Sequence, residues 1–255
     1  MDKEIEQEHI INRINSSELI QEPFVHKLVK DVFSNNYYQD LLKYLPNKGQ
    51  YIPITETGSV SKNYSSERYV FNFTRENLNK LSKEQNDFFK NLKDILFSGK
   101  LFHSATKMFE NVIKNRIKHF SEKEIKMMGA GDFAIQIRTM LVKDYTKYRL
   151  GAHTDVERKL LSFLFYLPKN DELKNVGTSL YRANGRIDDK DLSKHFSVQE
   201  TEEKFTKVKT CLFLPNSVFI FPRTTNSFHG VEEVNIEQKE RNLLLLNYYL
   251  AKKLK

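Results

Sequence analysis

The sequence predicts an α+β fold, mainly β, in which residues 133–255 form an antiparallel sandwich or barrel and residues 1–132 form a helical and loop region packed on it, effectively one domain. Two observations carry this. The first 125 residues hold long charged stretches with apolar residues at helical spacing, whereas residues 130–250 hold short β-branched and aromatic runs separated by turn signals. The short runs also follow one another without intervening helical segments, which argues against parallel βαβ units.

Each element has its own signal. FVHKLVKDVFSNNYYQDLLKYLP (24–46) predicts a short strand or turn near Pro23, then a helix ending near Pro46. Residues 46–70, with Gly49, Pro53, Gly58 and a Ser/Asn-rich run, predict a loop. ENLNKLSKEQNDFFKNLKDILF and LFHSATKMFENVIKNRIKHF predict two amphipathic helices parted near Gly99. A Gly129/Gly131 turn then opens the β half, with strands expected at 133–142, 160–168, 177–183, 207–215, 218–222, 228–234 and 241–251. Residues 184–204 form a polar insert too long for a hairpin turn, and such loops are often functional lids or mobile excursions.

Composition narrows the classes. One cysteine, Cys211, excludes an internal disulfide framework and fits a reducing compartment. The charged start MDKEIEQEHI is not a secretory signal, and no apolar run approaches the ~20 residues that span a bilayer, so a cytoplasmic protein is expected. The net charge of +8 is spread through nearly every segment and interleaved with acids. It reads as a solvated surface, and no nucleic-acid or membrane partner is expected.

The chemistry-bearing pattern is His153-Thr154-Asp155 with His229 and Arg241 downstream. On an extended strand, residues i and i+2 share a face, so His153 and Asp155 can enter one pocket. With His229 they make a 2-His-1-carboxylate set, the arrangement that leaves positions open on Fe(II). A lone His-x-Asp is a weak signal. Arg241 opens an apolar strand, where a guanidinium needs an anion; alternatively it is an exposed strand-entry residue or pairs with Glu232 or Glu233.

Together these residues resemble the Fe(II)/2-oxoglutarate-dependent oxygenases, in particular their prolyl-hydroxylase-like branch. YTKYRLGAHTD is similar to that family's approach to its first histidine, LLSFLFYLP and GTSLY to the following strands, and FLPNSVFIFPRTTNSFHGV to the hairpin before the second. The match spans roughly residues 133–250, and PFVHKLVKDVF…LLKYLP is similar to the helical lead-in of many members. The resemblance implies a double-stranded β-helix (jelly-roll) core. It makes His153, Asp155 and His229 the iron ligands, and Arg241 the partner of the distal carboxylate of 2-oxoglutarate, with Tyr166 a candidate for the same group. Tyr148, Arg138, Tyr145 and Gln136 would form the pocket's other wall, as co-substrate or substrate contacts or as solvent-exposed residues.

The resemblance also implies O2 as second co-substrate, and hydroxylation of an unactivated C–H bond with release of succinate and CO2. Halogenases of the superfamily carry a small residue where Asp155 stands, so hydroxylation is favoured, with desaturation or ring formation open. A non-catalytic jelly-roll ligand-binding module would be expected to show a broken ligand position, and a nucleic-acid demethylase a recognition loop. His9, His26, His103, His119 and His195 lie outside the expected site strands, which disfavours a histidine-rich cupin centre. No HExxH or cysteine cluster supports a zinc hydrolase. A small molecule or peptide is the expected substrate, with Arg182, Arg186 and Arg223 candidates for meeting an anionic one.

Overall fold

The computed structural model describes residues 2–58, 60, 64–119 and 133–252, so the expected Gly129/Gly131 turn lies outside the described residues. Among the described residues eleven strands fall into two antiparallel sheets, and helices cover one face. The strands are β1 (Lys27–Lys30), β2 (Ile52–Pro53), β3 (Arg68–Asn72), β4 (Phe133–Asp144), β5 (Leu150–His153), β6 (Lys159–Tyr166), β7 (Thr178–Ala183), β8 (Phe205–Cys211), β9 (Ser217–Pro222), β10 (His229–Val231) and β11 (Arg241–Lys252). The large sheet runs β1-β9-β6-β11-β4-β3-β2 and the small one β5-β10-β7-β8.

At the centre of the large sheet lies β11, paired with β4 on one side and β6 on the other. Both its faces are covered, which is why it reads as RNLLLLNYYLAK rather than as a clean alternation. Leu244, Leu246 and Tyr248 join Leu161 and Phe163 in a core shared with the helical layer. That layer contains α1 (Lys3–Ser16), α2 (Asn35–Tyr44), α3 (Arg75–Leu78), α4 (Lys83–Leu96), α5 (Gly99–Met108) and α6 (Glu110–Lys118). Its buried face includes Phe89, Leu92, Ile95 and Leu101. The opposite face, with Leu243, Tyr166, Phe219 and Phe221, meets Leu180 and Phe213 between the sheets.

The N-terminal part supplies strands as well as helices. The segment expected to lead into a helix at 24–46 forms β1 first, and α2 begins only at Asn35. Strand β1 pairs with β9, and its Lys27 turns inward to donate to the Ile14 and Ser17 carbonyls that end α1. A cation there meets the exposed carbonyls of the helix terminus. The expected loop at 46–70 is interrupted by two short 3-10 turns and β2, and β3 overlaps its end and pairs with β4.

The insert has secondary structure of its own. It carries α7 (Val198–Lys204) and sits directly on β5: the Thr201 hydroxyl accepts from Ala152 N (2.9 Å), and Phe196 N donates to the Ala152 carbonyl (3.1 Å). The backbone approach is so close that a Cβ on Gly151 would lie 1.9 Å from the Phe196 carbonyl oxygen. Only glycine fits there.

A candidate metal centre and its cavity

The two histidines come together through strand register. His229 opens β10 and stands opposite His153, the last residue of β5, with ring centroids 4.3 Å apart. Asp155 lies two residues beyond the end of β5 rather than on the strand, and its carboxylate crosses to the large sheet. There Ser162 Oγ donates to one oxygen (2.6 Å) and Lys159 Nζ to the other (2.7 Å). One ligand atom from each of His153, Asp155 and His229 lies within 4.8 Å of the others, and all three residues are buried.

The outer hydrogen bonds prepare the three for a cation. His153 Nδ1 donates to the Gly151 carbonyl and His229 Nδ1 to the Ser227 carbonyl, each at 3.0 Å. A carbonyl only accepts, so both rings carry their proton on Nδ1 and leave the Nε2 lone pair free. Burial, reinforced for His153 by His229 and His195, pushes both imidazoles below their ordinary range and keeps them neutral. Burial opposes the charge on Asp155, but the Lys159 ammonium that hydrogen-bonds it outweighs burial and holds the carboxyl well below the usual carboxylate range. Each carboxylate oxygen accepts one hydrogen bond and so retains a lone pair. The donor set therefore fits a divalent cation of the Fe(II) type.

The centre borders a cavity of about 230 Å³ between the sheets. Along β11 the alternate residues Arg241, Leu243, Leu245, Asn247 and Tyr249 face it. Asn247 pairs with Ser162, the residue that holds Asp155, so the metal ligands lie level with Asn247. Arg241 lies towards one end and Tyr249 towards the other.

At the Arg241 end the guanidinium is fully buried, which excludes an exposed strand-entry residue. It does not pair with Glu232 or Glu233, which lie beside Lys207 and Arg149. Its Nη1 donates to Asp144 (2.6 Å) and its Nε to the Val176 carbonyl (2.6 Å), while Nη2 is buried without a partner. Asp144 also takes a two-pronged contact from Arg68 (2.7 and 2.8 Å). Burial works against the Arg68 charge, but Asp144 beside it keeps the guanidinium firmly protonated. Two guanidiniums and one carboxylate leave a surplus positive charge lining the cavity. An unpaired buried N–H of a charged group costs on the order of 1–3 kcal/mol or more, which a bound carboxylate would offset.

Two expected co-substrate residues stand just behind this wall. The Tyr166 hydroxyl, pushed up by burial, donates to Thr178 Oγ1 (2.7 Å), and it is Thr178 that lines the cavity. Tyr148 hydrogen-bonds Tyr64 (2.9 Å) and lies under the Arg68 guanidinium (4.2 Å from the ring centre). Arg138 is exposed at the other end, where its guanidinium stands 5.3 Å from the centre of the Tyr249 ring.

Sequence reasoning missed Arg68, Asp144, Lys159 and Thr178, and it noted His195 only as lying outside the expected site strands. His195 projects from the insert into the cavity, its ring 4.3 Å from that of His153. Of the arginines considered for an anionic substrate, Arg182 pairs with Glu22 (2.6 Å) and Arg223 is buried, its Nε donating to the Asp155 carbonyl (3.2 Å).

No protein-family model matches the chain, and no curated protein matches it in sequence. Among solved structures it is similar to the epimerase SnoN in complex with Fe3+, alpha ketoglutarate and nogalamycin RO, at 8% identity over 95% of this chain and 83% of that one, with a TM-score of 0.50. A prolyl-4-hydroxylase of Pseudomonas putida aligns over 96% of this chain and 99% of its own at 9% identity and a TM-score of 0.46. HygX of Streptomyces hygroscopicus, solved with nickel, 2-oxoglutarate and hygromycin B, aligns over 88% and 82% at 10% identity and a TM-score of 0.45. At such identities the likeness to SnoN establishes a shared fold. What the cavity does has to be argued from its own residues.

Proposed function

We propose that this chain is an Fe(II)/2-oxoglutarate-dependent dioxygenase built on a double-stranded β-helix core (133–255) with residues 1–132 packed on it as part of the same domain. It hydroxylates an unactivated C–H bond of a small-molecule or peptidyl substrate. The observation that carries this reading is a pairing within one cavity: a buried His153–Asp155–His229 set with both Nε2 lone pairs free, and a buried Arg241 with one unpartnered N–H.

His153, His229 and Asp155 would hold the iron, which when bound supplies dioxygen activation coupled to oxidative decarboxylation of 2-oxoglutarate to succinate and CO2. Arg241 Nη2 takes the distal carboxylate of 2-oxoglutarate, and Thr178, whose oxygen already accepts from Tyr166, donates its own hydrogen to the same group. Arg68 and Asp144 keep the Arg241 fork in place. Ser162 and Lys159 fix the Asp155 rotamer, while Leu164, Leu243, Leu245 and Met140 line the cavity with apolar surface that excludes water. The carboxylate of Asp155 favours hydroxylation over halogenation.

Among the described residues no helix is long and apolar enough to cross a membrane. A buried, unpaired Cys211 agrees with a cytoplasmic location. Anaerobic addition of Fe(II) and 2-oxoglutarate should give a weak charge-transfer band in the visible, lost in His153→Ala, and admission of air should release succinate. Absence of both the band and succinate in the wild-type chain would overturn the reading.

A further inference from the structure

Several surface cations among the described residues have a carboxylate beside them, as in Lys100–Glu8, Arg182–Glu22, Lys207–Glu232 and Lys239–Glu172. Two arginines at the cavity mouth have none. The Arg138 and Arg158 guanidiniums lie 5.3 and 5.2 Å from the centre of one ring, that of Tyr249, and neither makes an ion pair. They come from different strands or turns: Arg138 from β4, and Arg158 from the turn that leads out of the metal-ligand segment into β6. Lys159 also stands by the ring, at 5.8 Å, but Asp155 neutralises it. Two like charges gathered at one half-buried aromatic repel each other, so the folded chain alone gains little from the arrangement. An oxyanion between them would remove the repulsion and meet two planar forks shaped for it.

The position makes this relevant to chemistry. Tyr249 lines the cavity one alternate residue beyond Asn247, the level of the metal ligands, and on the side away from Arg241. One such step along a strand is roughly 7 Å. We propose that Arg138 and Arg158, around Tyr249, form a subsite for a carboxylate or phosphate carried by a small-molecule substrate, and that the carbon oxidised lies on the order of 7 Å from that anion. The assignment rests on the oxygenase reading for its second half only. A small molecule fits because the cavity holds about 230 Å³.

The test titrates the full chain calorimetrically with phenyl phosphate, phenylacetate and benzyl alcohol, with Fe(II) and 2-oxoglutarate present anaerobically and again without them. Wild type is compared with R138Q/R158Q, whose circular dichroism and charge-transfer band report that fold and metal end are intact. At least one anion should bind tenfold or more tightly than the alcohol, and the double variant should lose at least tenfold of that affinity. The tighter anion names the oxyanion. Equal binding of anion and alcohol, or anion affinity unchanged in R138Q/R158Q, overturns the subsite. A twelve-nucleotide single strand that binds far more tightly than phenyl phosphate, through the same two arginines, overturns the small-molecule assignment. Anion binding that needs both arginines in a chain giving no charge-transfer band keeps the subsite and removes the oxygenase reading.

Discussion

The two ends of the cavity are built differently. At one end Arg241, Asp144, Arg68 and Thr178 come from the regular strands β11, β4, β3 and β7, and they are buried and interlocked by hydrogen bonds. At the other end Arg158 comes from the turn before β6, and the cations around Tyr249 reach solvent, while His195 enters beside the metal ligands from the irregular insert. The first end is fixed by register, so it suits a co-substrate that never changes. The second sits on segments whose length and sequence can vary without disturbing the sheet, so it suits the substrate.

The contrast can be broken most severely at Asp144. Asp144→Asn leaves two buried guanidiniums without a counter-charge, and a loss of about 3–5 kcal/mol is expected in urea denaturation. A loss near zero would mean the deep end is not electrostatically locked. Arg241→Met comes next: 2-oxoglutarate affinity should fall ~100-fold, about 2.7 kcal/mol, read from the charge-transfer titration, with Arg241→Lys recovering only part because the fork is lost.

An effect graded with pH lies outside the cavity. Burial lowers the pKa of His26 to about 4, against ~6.5 in the unfolded chain. Above pH 6.5 the ring is neutral in both states and contributes nothing. Below it the unfolded chain binds a proton that the folded one refuses, so stability should fall by up to ~1.4 kcal/mol per pH unit down to about pH 4. His26→Asn should flatten that limb of the metal-free denaturation profile. The least change is expected for His195→Ala at the mouth, below ~1 kcal/mol in stability and within about threefold in iron affinity. Loss of iron binding in that variant would show that the two ends are not separable.

How much of this was legible in the sequence follows the same division. His153, Asp155, His229 and Arg241 stood out because residue type and spacing coincide, and the strands of the β half were placed nearly throughout. Asp144 did not, because its meaning comes from the β4–β11 register that puts it opposite Arg241. Arg68 was hidden at the end of a Ser/Asn-rich stretch, although RYVFN is an apolar, β-prone run that becomes β3. Lys159, four residues beyond Asp155, meets it across a turn into β6 that no residue type in the sequence announces. His195 was unreadable for a different reason: no local pattern states that an insert folds back on β5, and the Gly151–Phe196 contact that seats it joins residues distant in sequence.

That contact has a consequence for engineering. The segment that shapes the mouth and the strand that ends in His153 share a backbone interface with no spare room, fastened at Ala152 and again where Thr154 N meets the Leu192 carbonyl (3.3 Å). The insert is therefore not an interchangeable cassette. A graft meant to change selectivity would have to bring its own seat for Gly151 and its own acceptors for Ala152 and Thr154, or it would shift a metal ligand while altering the wall beside it.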